Sequence, residues 1–352
     1  MKKTVERLLG DTEGVSYELP VFRFTGSSRQ VPAAYIQAAL HAGELPGVVA
    51  IHALMPKLSR AEKEGRIRGD ITIVPAANPV GRAQYHFGDL EGRFHLGTRT
   101  NFNRDFPLLE TPQDTALLDE ALPGTTDLRL KRRLLKLSMG HDIVLDLHCD
   151  DEGVAYLYVP AALWPAMADC AAAMGVAAVI TWEGSSGASF DEASIHPWLK
   201  LPKKQAGLGR RVVTTVEYRG LRDVGHAYAE SDAEGLYRLL VARGVVEDGA
   251  VKTERKFKGL VAAIGHVEMI SAPRAGAILF DVEPGDRVEK ASRLATIVHT
   301  PGEKAGATEV FAPQAGYVLT RSSRRSARAG DDLIKLVGDA PSAAVRQGAL
   351  ED

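Results

Sequence analysis

Residues 31–40 read VPAAYIQAAL and run directly into HAGELPG at 41–47. The first stretch is nearly continuous apolar sequence, as expected of a strand buried on both faces. The second holds two glycines and a proline, the composition of a tight loop. Residues 48–65, VVAIHALMPKLSRAEKEG, then carry helical spacing and a charged end, with Pro56 predicting a kink. Further strand-like runs follow at 70–79 (DITIVPAANP), 141–150 (HDIVLDLHCD), 176–182 (VAAVITW) and 210–220 (RRVVTTVEYRG), and a helix-like run closes the series at 232–244. Strands alternating with helices predict an α/β fold: a mixed, largely parallel sheet with helices on both faces.

Bulk composition narrows the function classes. The chain has 352 residues, enough for two cores, with 45% hydrophobic and 25% charged residues. A formal net charge of −2 gives no reason to expect a nucleic-acid partner. Cys149 and Cys170 are too few for a disulfide framework. The N-terminal lysines have no apolar run behind them, and residues 161–180 are broken by Pro165 and Asp169. The reading is a cytoplasmic protein with neither signal peptide nor membrane span.

After about residue 249 the pattern becomes short β runs with Gly and Pro turns. Residues 272–288 (APRAGAILFDVEPGDRV) and 312–333 (APQAGYVLTRSSRRSARAGDDL) align as Ala-Pro-x-Ala-Gly, a β run, then Gly-Asp. This internal repeat predicts a small all-β domain of two related halves. The expected organisation is a catalytic domain at 1–249, a β domain at 250–340 and a tail at 341–352.

The chemistry sits at strand ends, where open α/β sheets gather ligands. His41 and Glu44 follow the first buried strand as H-x-x-E, and His148 ends the strand at 141–150. Two imidazoles and a carboxylate are a ligand set for one catalytic zinc, leaving a fourth position for water or substrate. Asp146 precedes His148 by two residues, hence on the same strand face, where it can fix the imidazole tautomer. Glu217, in TVEYRG at another strand end, is the best candidate for the general base. The irregular stretch 85–127 is rich in Gly, Arg, Asn, Pro and Thr, and long loops of this kind are usually functional. Within it, Asn103 and Arg104 form a carboxylate-binding pair, and Arg93 or Arg99 is the candidate for stabilising an oxyanion.

The order H-x-x-E, Asn78-Pro79, NFNRDF (101–106), Asp146-Leu147-His148 and a late Glu217 resembles the succinylglutamate desuccinylase/aspartoacylase family, a branch of the zinc carboxypeptidase-like fold. The resemblance implies zinc on His41, Glu44 and His148 and Glu217 as general acid/base. It implies Asn103 and Arg104 on the substrate's carboxylate, and an upstream arginine, best matched by Arg93, that polarises the carbonyl. The implied activity is hydrolysis of the amide of a small N-acyl amino acid, with a metallocarboxypeptidase acting on peptides as the alternative. The family often has an acid where Asn101 stands. The C-terminal part resembles the lipoyl/biotinyl-type barrel-sandwich module. Lys304, in HTPGEKAGATEV (299–310), lacks the neighbours of a modifiable carrier lysine. The module therefore reads as structural, a lid or a surface for homo-oligomerisation.

Overall fold

The structure is a computed structural model that describes residues 1–184 and 187–343. Most of the tail expected at 341–352 therefore lies outside the described residues. Nine strands form one sheet: β1 (Lys2–Leu9), β2 (Ser16–Phe24), β3 (Ala34–Ala38), β4 (Ile71–Val74), β5 (Ile143–Asp150), β6 (Tyr156–Pro160), β7 (Ala178–Trp182), β8 (Val212–Gly220) and β9 (Leu260–Ala263). Their order is β1-β2-β4-β3-β5-β8-β6-β7-β9. The pairs β4–β3, β3–β5, β5–β8, β6–β7 and β7–β9 are parallel, and β1–β2, β2–β4 and β8–β6 are antiparallel. The sheet is thus mixed and largely parallel.

The central strands are apolar because both their faces are covered. Every residue of β3, β4 and β5 is buried. The helices fall into two packing groups. Helix α1 (Pro46–Lys63) and α3 (Ala168–Met174) each pack on α5 (His226–Ala242), while α2 (Thr126–Ser138) packs on α4 (Phe190–Leu199).

Pro56, where a kink is expected, lies inside α1, which is helical from Pro46 to Lys63. Pro56 and His52, whose carbonyl loses its helical donor, are both exposed, so water can take the place of the missing bond. The hairpin of β1 and β2 was not expected, since KKTVERLL reads as a charged segment. It is an edge strand, where charge blunts further pairing. Finally, β9 belongs to the large sheet although it lies beyond residue 249, so the sheet runs past the boundary expected from composition.

From Val267 the chain forms two small sheets. Val267–Ser271 pairs with Asp332–Gly338, which pairs with Gly316–Arg321. Gly276–Phe280 pairs with Arg293–Val298, which pairs with Ala307–Phe311. The two repeats interleave, because Val267–Ser271 comes from the first half and Asp332–Gly338 from the second. Ile270, Ile278, Leu294, Ile297, Val318 and Leu336 form a core between the sheets. The glycines of the repeated Ala-Gly are sterically required: a Cβ on Gly276 or Gly316 would lie 2.3 or 2.6 Å from the carbonyl oxygen of Val298 or Val337. Lys304 lies on an exposed turn.

This module is seated at the carboxyl end of β5. Buried Lys335 donates to the carboxylate of Asp150, which also accepts from the Tyr156 hydroxyl at 2.9 Å. Glu152 pairs with Arg321 and Arg325, and Ser323 donates to Asp151. Removing one partner of a buried ion pair strands the other charge, at a cost of about 3–5 kcal/mol. Lys335→Met is therefore expected to lower the free energy of urea unfolding by that order, and a loss below about 1 kcal/mol would show that the pair does not hold the module.

Candidate metal centre and substrate cavity

His41 and Glu44 are delivered by the loop between β3 and α1. The turn is closed by the Glu44 N–H donating to the His41 carbonyl at 3.0 Å, and Pro46 opens the helix. The Asn78-Pro79 motif braces this loop. The Asn78 side chain donates to the Leu40 carbonyl at 2.8 Å and accepts from the Gly81 N–H at 2.7 Å. From the other side, the Ala42 N–H donates to the Gly92 carbonyl, and a Cβ on Gly92 would lie 2.6 Å from that of Ala42. This close approach brings the neighbouring Arg93 to the site.

His148 stands near the end of β5, adjacent in the sheet to β3, so the strand neighbours bring it to the same point. Glu44 spans both imidazoles: its Oε1 is 2.9 Å from His41 Nδ1 and its Oε2 is 2.8 Å from His148 Nδ1. One ligand atom from each of the three lies within 4.8 Å of the others, and all three residues are buried. The outer nitrogens are engaged as a metal site requires. His148 Nε2 is 2.8 Å from Asp146 Oδ2, and His41 Nε2 is 2.8 Å from Asn101 Oδ1. Asp146 is itself held by Gln37 at 2.9 Å, and Gln37 by the Tyr35 hydroxyl at 2.7 Å. The donor types, the converging Nδ1 atoms and the backed outer nitrogens fit one divalent cation.

Electrostatics agree with that fit. Burial would raise the Glu44 carboxyl, but the two imidazoles outweigh it and hold the group well below its ordinary range. Burial lowers His41, with Glu44 opposing in part. Burial also acts to lower His148, but Asp146 and Glu44 overcome it and hold the imidazole well above its ordinary value. Three groups whose protonation depends on one another in this way are primed to exchange protons for a cation.

Glu217 lies on β8, paired in register with His148. Burial pushes its carboxyl up to about 8; His148 opposes this, while Glu44 and Asp150 add to it. Its Oε2 is buried with no hydrogen-bond partner. An orphaned carboxylate oxygen beside a ligand cluster is a group waiting for a proton or a donor.

The irregular segment supplies the remaining candidates. Among the described residues it contains two short hairpins, Tyr85–His86 with Asp89–Leu90 and Phe94–His95 with Thr100–Asn101. Arg93 Nη1 is 3.3 Å from both Glu44 Oε1 and His41 Nδ1. Arg99 is exposed at a positive φ of 60° and is not among the residues lining the cavity. Asn103 and Arg104 do line it. The Asn103 Oδ1 accepts from the Phe190 N–H at 2.8 Å, so this residue also anchors the start of α4. The cavity holds about 690 Å³ including its mouth, with His41, Glu44, Arg93, Arg104, His148 and Glu217 in its wall. An adjoining cleft of about 1840 Å³ reaches from Glu44 and Arg93 to Arg321 and Lys335 of the β module.

Two positions were not assigned a role from sequence alone. Gln37 is a fully buried polar residue inside an apolar strand, which is a signal that its amide has a partner. The Asn101 Oδ1 accepts from both the Asn103 N–H and, in the matching tautomer, His41 Nε2.

Comparison with known proteins places this geometry. The model of the succinylglutamate desuccinylase/aspartoacylase catalytic domain matches residues 30–240. The chain belongs to the succinylglutamate desuccinylase/aspartoacylase family. Its members are amide-bond deacylases. A solved structure assigned to this family from Shewanella amazonensis SB2B is 26% identical with a TM-score of 0.82, covering 96% of this chain and 99% of that one. One from Shewanella frigidimarina NCIMB 400 is 24% identical with a TM-score of 0.82, covering 96% and 97%. The product-bound ectoine utilization protein EutE (DoeB) of Ruegeria pomeroyi shares the fold at 20% identity, with a TM-score of 0.69 over 96% and 94%. No curated protein matches the sequence. Among the described residues, no helix is long and apolar enough to cross a membrane.

Proposed function

We propose that the chain is a zinc-dependent deacylase that hydrolyses the amide bond of an N-acyl amino acid or a related small amide. The observation that carries this reading is the convergence of His41 Nδ1, Glu44 and His148 Nδ1 beside the orphaned carboxylate of Glu217, in a cavity that also holds Arg93 and Arg104. A zinc ion on the three ligands would supply a Lewis acid and bring the pKa of water toward about 7.

The chain's own groups do the rest. The Glu217 carboxylate takes a proton from the attacking water as the new C–O bond forms. Arg93, beside Glu44, donates to the oxygen that gains charge at the carbonyl. Glu217 then returns the proton to the leaving nitrogen as the C–N bond breaks, giving a carboxylic acid and a free amine. Arg104 holds the carboxylate of the amine part, and the Asn103 amide nitrogen is its second donor, since Asn103 Oδ1 is committed to α4.

Arg104→Ala is expected to raise KM for carboxylate-bearing substrates by about tenfold or more, with a smaller change in kcat. An unchanged KM takes Arg104 out of the substrate contacts. The reading as a whole is tested by assaying the zinc-loaded chain on N-acyl amino acids beside dipeptides and longer peptides. Preferential cleavage of the acyl amino acids supports it; preferential removal of C-terminal residues from peptides makes the protein a carboxypeptidase instead.

A further inference from the structure

The strand that carries Glu217 breaks its own pattern just beyond it. Along β8, Thr215 and Glu217 alternate into the cavity wall, so in a regular strand Arg219 would follow them. It does not. Glu217 pairs with His148 and Gly220 with Asp150, three steps on β8 against two on β5, so β8 holds one extra residue. Arg219 sits in this bulge at a φ of 57°, in the left-handed region. Bulges that use this conformation ordinarily place glycine there, because a Cβ disfavours it.

The contacts of Arg219 show where the turn sends it. Its guanidinium carbon lies 4.4 Å from the ring centroid of Tyr228 and 5.7 Å from that of Tyr218. Its two Nη atoms donate to the two carboxylate oxygens of Asp232 on α5, one of them at 3.0 Å. Asp232 is 5% exposed. Arg219 is not among the residues lining the cavity or the adjoining cleft.

An ion pair that only tied β8 to α5 explains the fork but not the backbone. A tie between strand and helix needs no left-handed residue. A side-chain-bearing residue stays in that region where its surroundings over-determine it, and such residues cluster at functional sites. Here the surroundings are a buried acid gripped by a planar fork and an aromatic ring stacked on the same cation. What they fix is the point where the strand leaves its register, two residues beyond Glu217. The turn also keeps a guanidinium from following Glu217 into the wall, where it would occupy the Oε2 that has no partner.

Resting on the deacylase reading above, we propose that Arg219 is a positioning residue for Glu217: clamped by Asp232 and Tyr228, it holds a left-handed bulge that aims the base at the ligand cluster. Arg219 acts through the backbone, not by contact with the substrate.

The test separates the guanidinium from the backbone it holds, in the zinc-loaded full chain. Asp232→Asn accompanies both main variants, so that no buried charge is stranded. Arg219→Ala/Asp232→Asn removes the clamp but keeps a Cβ, and the residue leaves the left-handed region. Its kcat on the best N-acyl amino acid is expected to fall about tenfold to a hundredfold, with KM and zinc content unchanged. Arg219→Gly/Asp232→Asn takes up the bulge without a clamp, and its kcat is expected to return to within about threefold of wild type. An ion pair that only stabilises would lower the thermal midpoint of both variants and spare the kcat of both. A guanidinium needed at the substrate would leave glycine as poor as alanine. Either result overturns the proposal. Should the alanine variant not fold, Arg219→Lys keeps the charge and loses the fork; its kcat is expected to fall about threefold or more at constant KM, and an unchanged kcat overturns the proposal. Crystal structures of the two double variants separate this proposal from the deacylase reading. A Glu217 carboxyl displaced by about 1 Å or more in the alanine variant and restored by glycine, in a protein that hydrolyses no amide, keeps the positioning role and removes the deacylase. Amide hydrolysis by the wild type, with Glu217 unmoved in the alanine variant, does the reverse.

Discussion

Glu217→Gln is expected to lower kcat by about 10²–10⁴-fold while leaving one zinc per chain. The substitution keeps the shape of the side chain and its place on β8, in register with His148. What it removes is the ability to take a proton from water and hand it to the departing nitrogen. Because Glu217 Oε2 has no hydrogen-bond partner, the amide breaks no bond at that atom, so the loss belongs to chemistry and not to folding. Steady-state kinetics with metal analysis on the same preparation check it. Near-normal turnover in the variant would remove Glu217 as the base, and loss of zinc would make it a ligand instead.

His148→Ala is expected to abolish measurable turnover and to release the metal. Glu44 bridges the two imidazoles, so removing His148 takes away one ligand and one of the two groups that hold the Glu44 carboxylate in its charged form. It also leaves Asp146, which is fully buried, without the imidazole at 2.8 Å. The expected signature is zinc below one tenth of an equivalent together with a lowered thermal midpoint, since a metal that binds only the folded chain stabilises it. A variant that keeps a full equivalent of zinc would show that the cation sits elsewhere.

The convergence of three potential ligands was legible in the sequence for a physical reason. His41, Glu44 and His148 lie at the carboxyl ends of apolar strands, and strands buried on both faces are the easiest elements to recognise. Neighbourhood in the sheet then does the rest, because β3, β5 and β8 are adjacent. The choice between Arg93 and Arg99 was not legible, since both occupy one irregular segment. It turns on the contact of Ala42 with Gly92, which no local pattern announces.

The missed strands share a cause. KKTVERLL is charged because it is an edge, and Leu260–Ala263 is only four residues long, with alternate residues exposed. Neither gives the apolar run of a central strand. The repeat at 272–288 and 312–333, by contrast, was visible because the same backbone crowding at Gly276 and Gly316 demands glycine twice.

Two Nδ1 nitrogens and a carboxylate converge where one divalent ion would be held. A crystal structure of the zinc-loaded protein, with anomalous scattering recorded on either side of the zinc edge, tests it most directly. The expected result is a single zinc peak per chain, about 2.0–2.1 Å from the Nδ1 atoms of His41 and His148 and within bonding distance of Glu44. A peak at other residues, or none between these three in zinc-saturated crystals, would contradict it.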